Sequence, residues 1–107
     1  MKHTEVVKRN DLLVDLLSKH RGVANSISAK EIMQYMGEHG YHTSNNALRR
    51  LITQVKLERT LPICYKRGYG YFWASSRADI EVTIKDLEFM VASLKEHIEH
   101  LKRFIIE

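Results

Sequence analysis

The chain has 107 residues, 44% of them hydrophobic and 28% charged, with a formal net charge of +4. That suffices for one domain with a modest core and an appended arm, and the basic balance suits an anionic partner without identifying one. The single cysteine, Cys64, excludes an internal disulfide framework and a multi-cysteine zinc site within one chain, and no apolar run approaches the length needed to cross a bilayer.

The start, MKHTEVVKRNDLL, is interrupted by charge and lacks a signal-peptide pattern, so a cytoplasmic location, with no membrane partner, is the expectation. Charge is unevenly spread. Residues 1–21 carry five Lys/Arg and three Asp/Glu (+2), residues 22–75 seven and three (+4), and residues 76–107 five and seven (−2). An anionic partner is therefore expected on the middle segment, away from the last helix.

Residues 1–9 are polar and basic with no clear period, and are expected to form a flexible arm. Asn10 is the expected cap of a first helix, DLLVDLLSKH, in which Leu12, Leu13, Leu16 and Leu17 form an apolar stripe and Gly22 supplies the stop. Val23 to Ile27 is too short for a helix and is expected to lay a brief strand beside a later hairpin. Ser28 and Glu31 have capping-box spacing at the head of a second helix, Ala29 to Glu38, with Ile32, Met33 and Met36 inward and Tyr35 near the edge.

A tight corner through Gly40, Tyr41 and His42 leads to a third helix starting near Asn45, capped by Thr43 or Ser44. Leu48, Leu51, Ile52 and Val55 recur at spacings of three and four. This leaves Asn45, Asn46, Arg49, Arg50, Thr53 and Lys56 on the remaining surface. Arg can fork onto guanine, Asn onto adenine, and Lys or Thr onto phosphate, so such a face suits a DNA major groove as well as it suits plain solvent.

Pro62 ends the helix near Thr60. Ile63, Cys64 and Tyr65, then Tyr71, Phe72 and Trp73, read as two strands around a turn containing Gly68 and Gly70, with Lys66 and Arg67 at its tip. The glycines of RGYGY are turn residues rather than a phosphate cradle, because no helix opens directly from them. The hairpin aromatics could stack on unpaired bases, but alternating aromatics more often pack on the helices beneath.

From Ser76, which has capping spacing with Asp79, no Gly or Pro interrupts the chain to Glu107, and one long helix is expected. Ile84, Val91, Ile98 and Ile105 fall at heptad position a, and Ile80, Leu87, Leu94 and Leu101 at d. This division favours parallel two-stranded coils, while Phe89, Met90 and Phe104 widen the apolar face and leave orientation open. A homodimer through this seam is the expectation, against a helix folded back on its own domain. His97 and His100 lie beside Glu96 and Glu99, but HIEH lacks the HExxH spacing of a metal motif.

The order is helix, extended piece, helix, corner, helix, hairpin. With ISAKEI at 27–32, GYHTSNNALRRLI at 40–52 and ICYKRGYGYFW at 63–73, the segment Asn10 to Trp73 resembles the winged helix-turn-helix superfamily. The whole chain looks like small winged-helix proteins encoded by phages and prophages of Gram-positive bacteria. The resemblance implies a mainly α fold with a small β-hairpin, a winged helix-turn-helix over 10–75, to which the heptad seam adds a coiled-coil dimerisation helix over 76–107. It also implies that Asn45, Asn46, Arg49, Arg50 and Thr53 hold recognition positions and Lys66 and Arg67 a wing tip.

The expected function is that of a dimeric regulator of transcription on double-stranded DNA, with Thr43, Ser44 and Lys56 completing the contact set. A protein-interaction adaptor on the same scaffold is the alternative. No nucleophile elbow, P-loop, metal triad or carboxylate pair points to an enzyme, and no cofactor is implied.

Overall fold

The computed structural model describes residues 1–105. Helix α1 (His3–Ser18) leads through a single 3₁₀ turn (Val23–Asn25) to α2 (Ala29–Glu38) and α3 (Asn45–Arg59). Strands β1 (Ile63–Lys66) and β2 (Gly70–Trp73) form an antiparallel hairpin, and α4 (Arg77–Lys102) closes the order. The fold is thus mainly helical with a small hairpin and a long last helix.

The N-terminal residues correct the sequence reading. α1 starts at His3, so most of the expected arm 1–9 is helical, and Asn10 lies inside the helix, 6% exposed, instead of capping it. The reason is the row Val6, Asn10, Leu13, Leu17, which faces the domain at helical spacing. The Asn10 amide oxygen accepts from Arg9 Nε at 3.1 Å, so its burial leaves no orphan acceptor. The helix also stops before Gly22. Trp73 N–H donates to the His20 carbonyl at 2.7 Å and Gly22 N–H to the Trp73 carbonyl at 2.9 Å, so residues 20–22 are held by β2.

Where a brief strand was expected, the chain curls into the 3₁₀ turn and only Ile27 pairs, with Tyr71, through two bonds of 2.8 Å. Local side-chain bonds drive the curl: Ser26 Oγ donates to the Val23 carbonyl at 2.8 Å and Asn25 Nδ2 to the Arg21 carbonyl at 2.9 Å. α2 opens on the expected capping box of Ser28 and Glu31. α3 opens on Ser44, whose hydroxyl accepts from Ala47 N–H at 3.2 Å, and ends at Thr60 in the left-handed region just before Leu61 and Pro62.

The core joins Leu13, Leu16 and Leu17 of α1, Ile27, Ile32 and Met36 around α2, Leu48 and Ile52 of α3, and Ile63 and Tyr71 of the hairpin. α1 packs on β2, and α4 packs on β1. Cys64 and Phe72, paired across the hairpin, are both buried.

α4 has no buried residue. The radius of gyration, 16.7 Å, exceeds the roughly 13 Å of a compact chain this long, because α4 projects from the domain. The seam is therefore not folded back on its own domain. Ile105 lies past the helix end: Phe104 and Ile105 are held by bonds to Leu101 and Lys102, so the last heptad step leaves the helical row. The final two residues of the expected helix, 106 and 107, lie outside the described residues. No helix among the described residues is long and apolar enough to cross a membrane.

Candidate nucleic-acid interface

On α3 the buried side chains Leu48, Ile52 and Val55 define one face. Opposite them, at helical spacing, run Asn46, Arg50, Thr53 and Leu57, all exposed. A second row, Asn45, Arg49 and Lys56, lies along one flank. That flank faces the hairpin, because the Arg49 guanidinium lies beside the Tyr71 hydroxyl; burial pushes the Tyr71 phenol up, and Arg49 partly offsets this. The expected contact residues thus fall into an outward row and a hairpin-side row.

The residues of the corner are engaged locally. Ser44 is occupied as the helix cap, and Thr43, half-buried, donates from Oγ1 to the Ser44 carbonyl at 3.3 Å. Thr53 Oγ1 donates to the Arg49 carbonyl at 3.1 Å, which leaves its lone pairs outward. The first turn of α3 holds no acidic side chain, so the positive end of its dipole is unopposed there.

At the hairpin tip the Tyr69 N–H closes a turn onto the Lys66 carbonyl at 3.0 Å. Lys66 Nζ sits 5.2 Å from the centroid of the Tyr69 ring, while Arg67 stands exposed beside it. The hairpin aromatics divide. Tyr71 and Phe72 are buried, as packing on the helices demands, whereas Tyr65 and Tyr69 are exposed, with Tyr65 tilted against Tyr71 at 4.8 Å between ring centroids.

None of the salt bridges among the described residues takes a basic side chain of this surface other than Arg59, a freedom it shares with Lys2, Lys8, Arg9, Arg21, Lys30, Lys85 and Lys95; what sets it apart is that its cations lie together. The salt bridges join Lys19 to Asp15, Arg59 to Asp11, Arg77 to Glu81 and Lys102 to Glu99. Among the described residues, Arg49, Arg50, Lys56, Lys66 and Arg67 have no carboxylate partner. Their charge is available to an outside anion. Arg59, the remaining basic residue of α3, instead ties the helix end to α1 at 2.8 Å.

One residue of the outward row escaped the sequence reading. Leu57 is 71% exposed; the signal was its place in the series 46, 50, 53, 57. An apolar side chain in that row can meet a thymine methyl as Asn and Arg meet base edges.

The second surface is α4. Ile84, Leu87, Val91, Leu94, Ile98 and Leu101 are 46 to 64% exposed along one line, and Ile80, nearest the domain, is half-buried. Met90 flanks this seam. Phe89, 77% exposed, points away from it, on the same row as Val82, and so does not widen the seam as its neighbours do. The described residues contain no cluster of three or more metal-ligating side chains. Comparison of the chain with protein-family models, curated proteins and solved structures finds no match.

Proposed function

We propose that the protein binds double-stranded DNA as a homodimer and regulates transcription, with α3 in the major groove and the β1–β2 hairpin as a basic wing on the flanking backbone. The observation that carries this reading is the set of unpaired cations, Arg49, Arg50, Lys56, Lys66 and Arg67, on one helix face and the hairpin beside it. Charges left without a carboxylate partner, with Asn45 and Asn46 among them, suit phosphate contact and base reading together. The exposed α4 seam supplies the two-fold arrangement that places two copies of α3 on successive half-sites. The resemblance to the winged helix-turn-helix superfamily agrees with this assignment, and with a bacterial or phage setting in which the protein sits on the nucleoid.

Titration of the purified protein against genomic fragments at several salt concentrations tests it. Selected fragments carry an inverted repeat, and log affinity falls linearly with log salt at about −0.9 per neutralised phosphate. Absence of any salt-sensitive binding removes the reading. An adaptor function rests on the same exposed α4 face, which could capture a partner helix. The variant Arg49→Ala/Arg50→Ala separates the two, since it abolishes DNA binding in the first case and leaves partner capture intact in the second.

A further inference from the structure

Resting on the dimeric reading above, we infer that α4 meets α4 of a second copy antiparallel, placing the two domains at opposite ends of the coil. The flanking heptad positions carry the argument, because charges at e and g set the orientation of a coil. Position e holds Glu81, Glu88, Lys95 and Lys102; position g, within the helix, holds Thr83, Met90 and His97. The e row is acidic in its first half and basic in its second.

In an antiparallel pair, e faces e′ and a faces d′. The register that aligns Val91 with Leu94 of the second copy also aligns Leu87 with Ile98 and Ile84 with Leu101. Each central layer then joins one β-branched residue to one leucine. The same register sets Glu88 against Lys95 and Glu81 against Lys102, and two-fold symmetry repeats both pairs. Met90 falls opposite His97 on the other flank, which covers its exposed thioether.

A parallel pair sets g against the following e′: Thr83 with Glu88, Met90 with Lys95, His97 with Lys102. None of these is an ion pair, and the last brings an imidazole against an ammonium. Charge along the helix agrees with the antiparallel choice. Residues 77–90 hold two Lys/Arg and four Asp/Glu (−2), and residues 91–103 three and two (+1); antiparallel packing overlays unlike halves. The β-branched and leucine division between a and d favours a parallel pair, but the antiparallel register also fills every central layer evenly, so the flanks decide.

Within one chain Glu81 pairs with Arg77 and Lys102 with Glu99, both exposed. Such pairs contribute little, so exchanging them for partners across the coil costs little. Ile80 of each copy is then separated along the coil by 25 residues, about 37 Å. That is close to one turn of B-DNA, about 34–36 Å, the half-site repeat of two-fold DNA readers.

Charge exchange on the full chain tests the inference. E81K/E88K and K95E/K102E each dimerise about tenfold or more weakly than the unaltered chain in sedimentation, and an equimolar mixture regains the original affinity. A second measurement reads geometry directly. Spin labels at Ala78→Cys, with Cys64→Ala, lie about 43 Å apart along the axis, while labels at Ala92→Cys lie within about 2 Å of the same level. A dimer with short distances at both positions, or a mixture no tighter than its components, overturns the antiparallel arrangement and leaves the DNA-binding dimer standing. A chain that sediments as a monomer overturns the dimer as well.

Discussion

Gly68 and Gly70 lie two residues apart in one hairpin, both at positive φ, and their surroundings separate them. A Cβ on Gly68 meets nothing within 4 Å, whereas one on Gly70 would collide with the Ile27 carbonyl and crowd its carbon at 2.8 Å. Gly68 is glycine for the turn alone; Gly70 also lets β2 reach Ile27. Gly68→Ala should cost about 1 kcal/mol, the left-handed penalty, and Gly70→Ala about 1–3 kcal/mol. Denaturant unfolding measures both, and Ile27 and Tyr71 amide exchange should quicken only in the second. Arginines divide the same way. Arg67→Ala should weaken DNA binding and lower the salt slope by about 1, while Arg59→Ala, which breaks the bridge to Asp11, should leave the slope unchanged and alter stability by less than about 1 kcal/mol. Fluorescence anisotropy on a selected fragment distinguishes them.

At the scale of the element, the start of α4 is held by two serines with different tasks. Ser76 Oγ accepts from Asp79 N–H at 3.3 Å, while the Asp79 carboxylate accepts from Ser75 N–H at 2.8 Å and Ser75 Oγ at 2.9 Å. These bonds, the Ser75 backbone amide first, hold the Asp79 carboxyl below its ordinary value. A carboxyl depressed in the folded state stabilises it above the unfolded value and loses that contribution as pH falls through the folded one. The protection of the Ser75 and Asp79 amides, relative to their intrinsic exchange at each pH, should therefore fall on acidification below the usual carboxylate range. In Asp79→Asn the same amides should exchange faster at neutral pH and lose that acid response. The helix boundaries themselves were largely legible: the Ser28–Glu31 box, the Ser44 cap and the Leu61–Pro62 stop act over a few residues and need no distant partner.

Across the whole molecule, the projecting α4 leaves a line of apolar side chains uncovered. An exposed line of Ile, Leu and Val along a helix 26 residues long is a surface that water disfavours and a second helix can cover. Leu94→Glu should dissociate the proposed dimer, read by sedimentation, with α1–α3 and the hairpin still folded by circular dichroism, because α4 contributes no buried residue. DNA affinity should fall at least tenfold with it, since two half-sites are then no longer bound as one unit.

The sequence alone determined the local devices: caps, turn glycines, the apolar stripes of α2, α3 and α4, and the membership of the polar face of α3. Each of these depends on spacing within one element. Tertiary structure decided whatever depended on a neighbour distant in sequence. Asn10 resembles a cap until the buried row through Val6 and Leu13 draws it inside α1. Val23 to Ile27 resembles a strand until Ser26 and Asn25 bond locally and Ile27 alone meets Tyr71. The division of the basic residues also came from packing, because only the folded chain brings Asp11 to Arg59 and Tyr71 to Arg49 while leaving Arg50 facing outward.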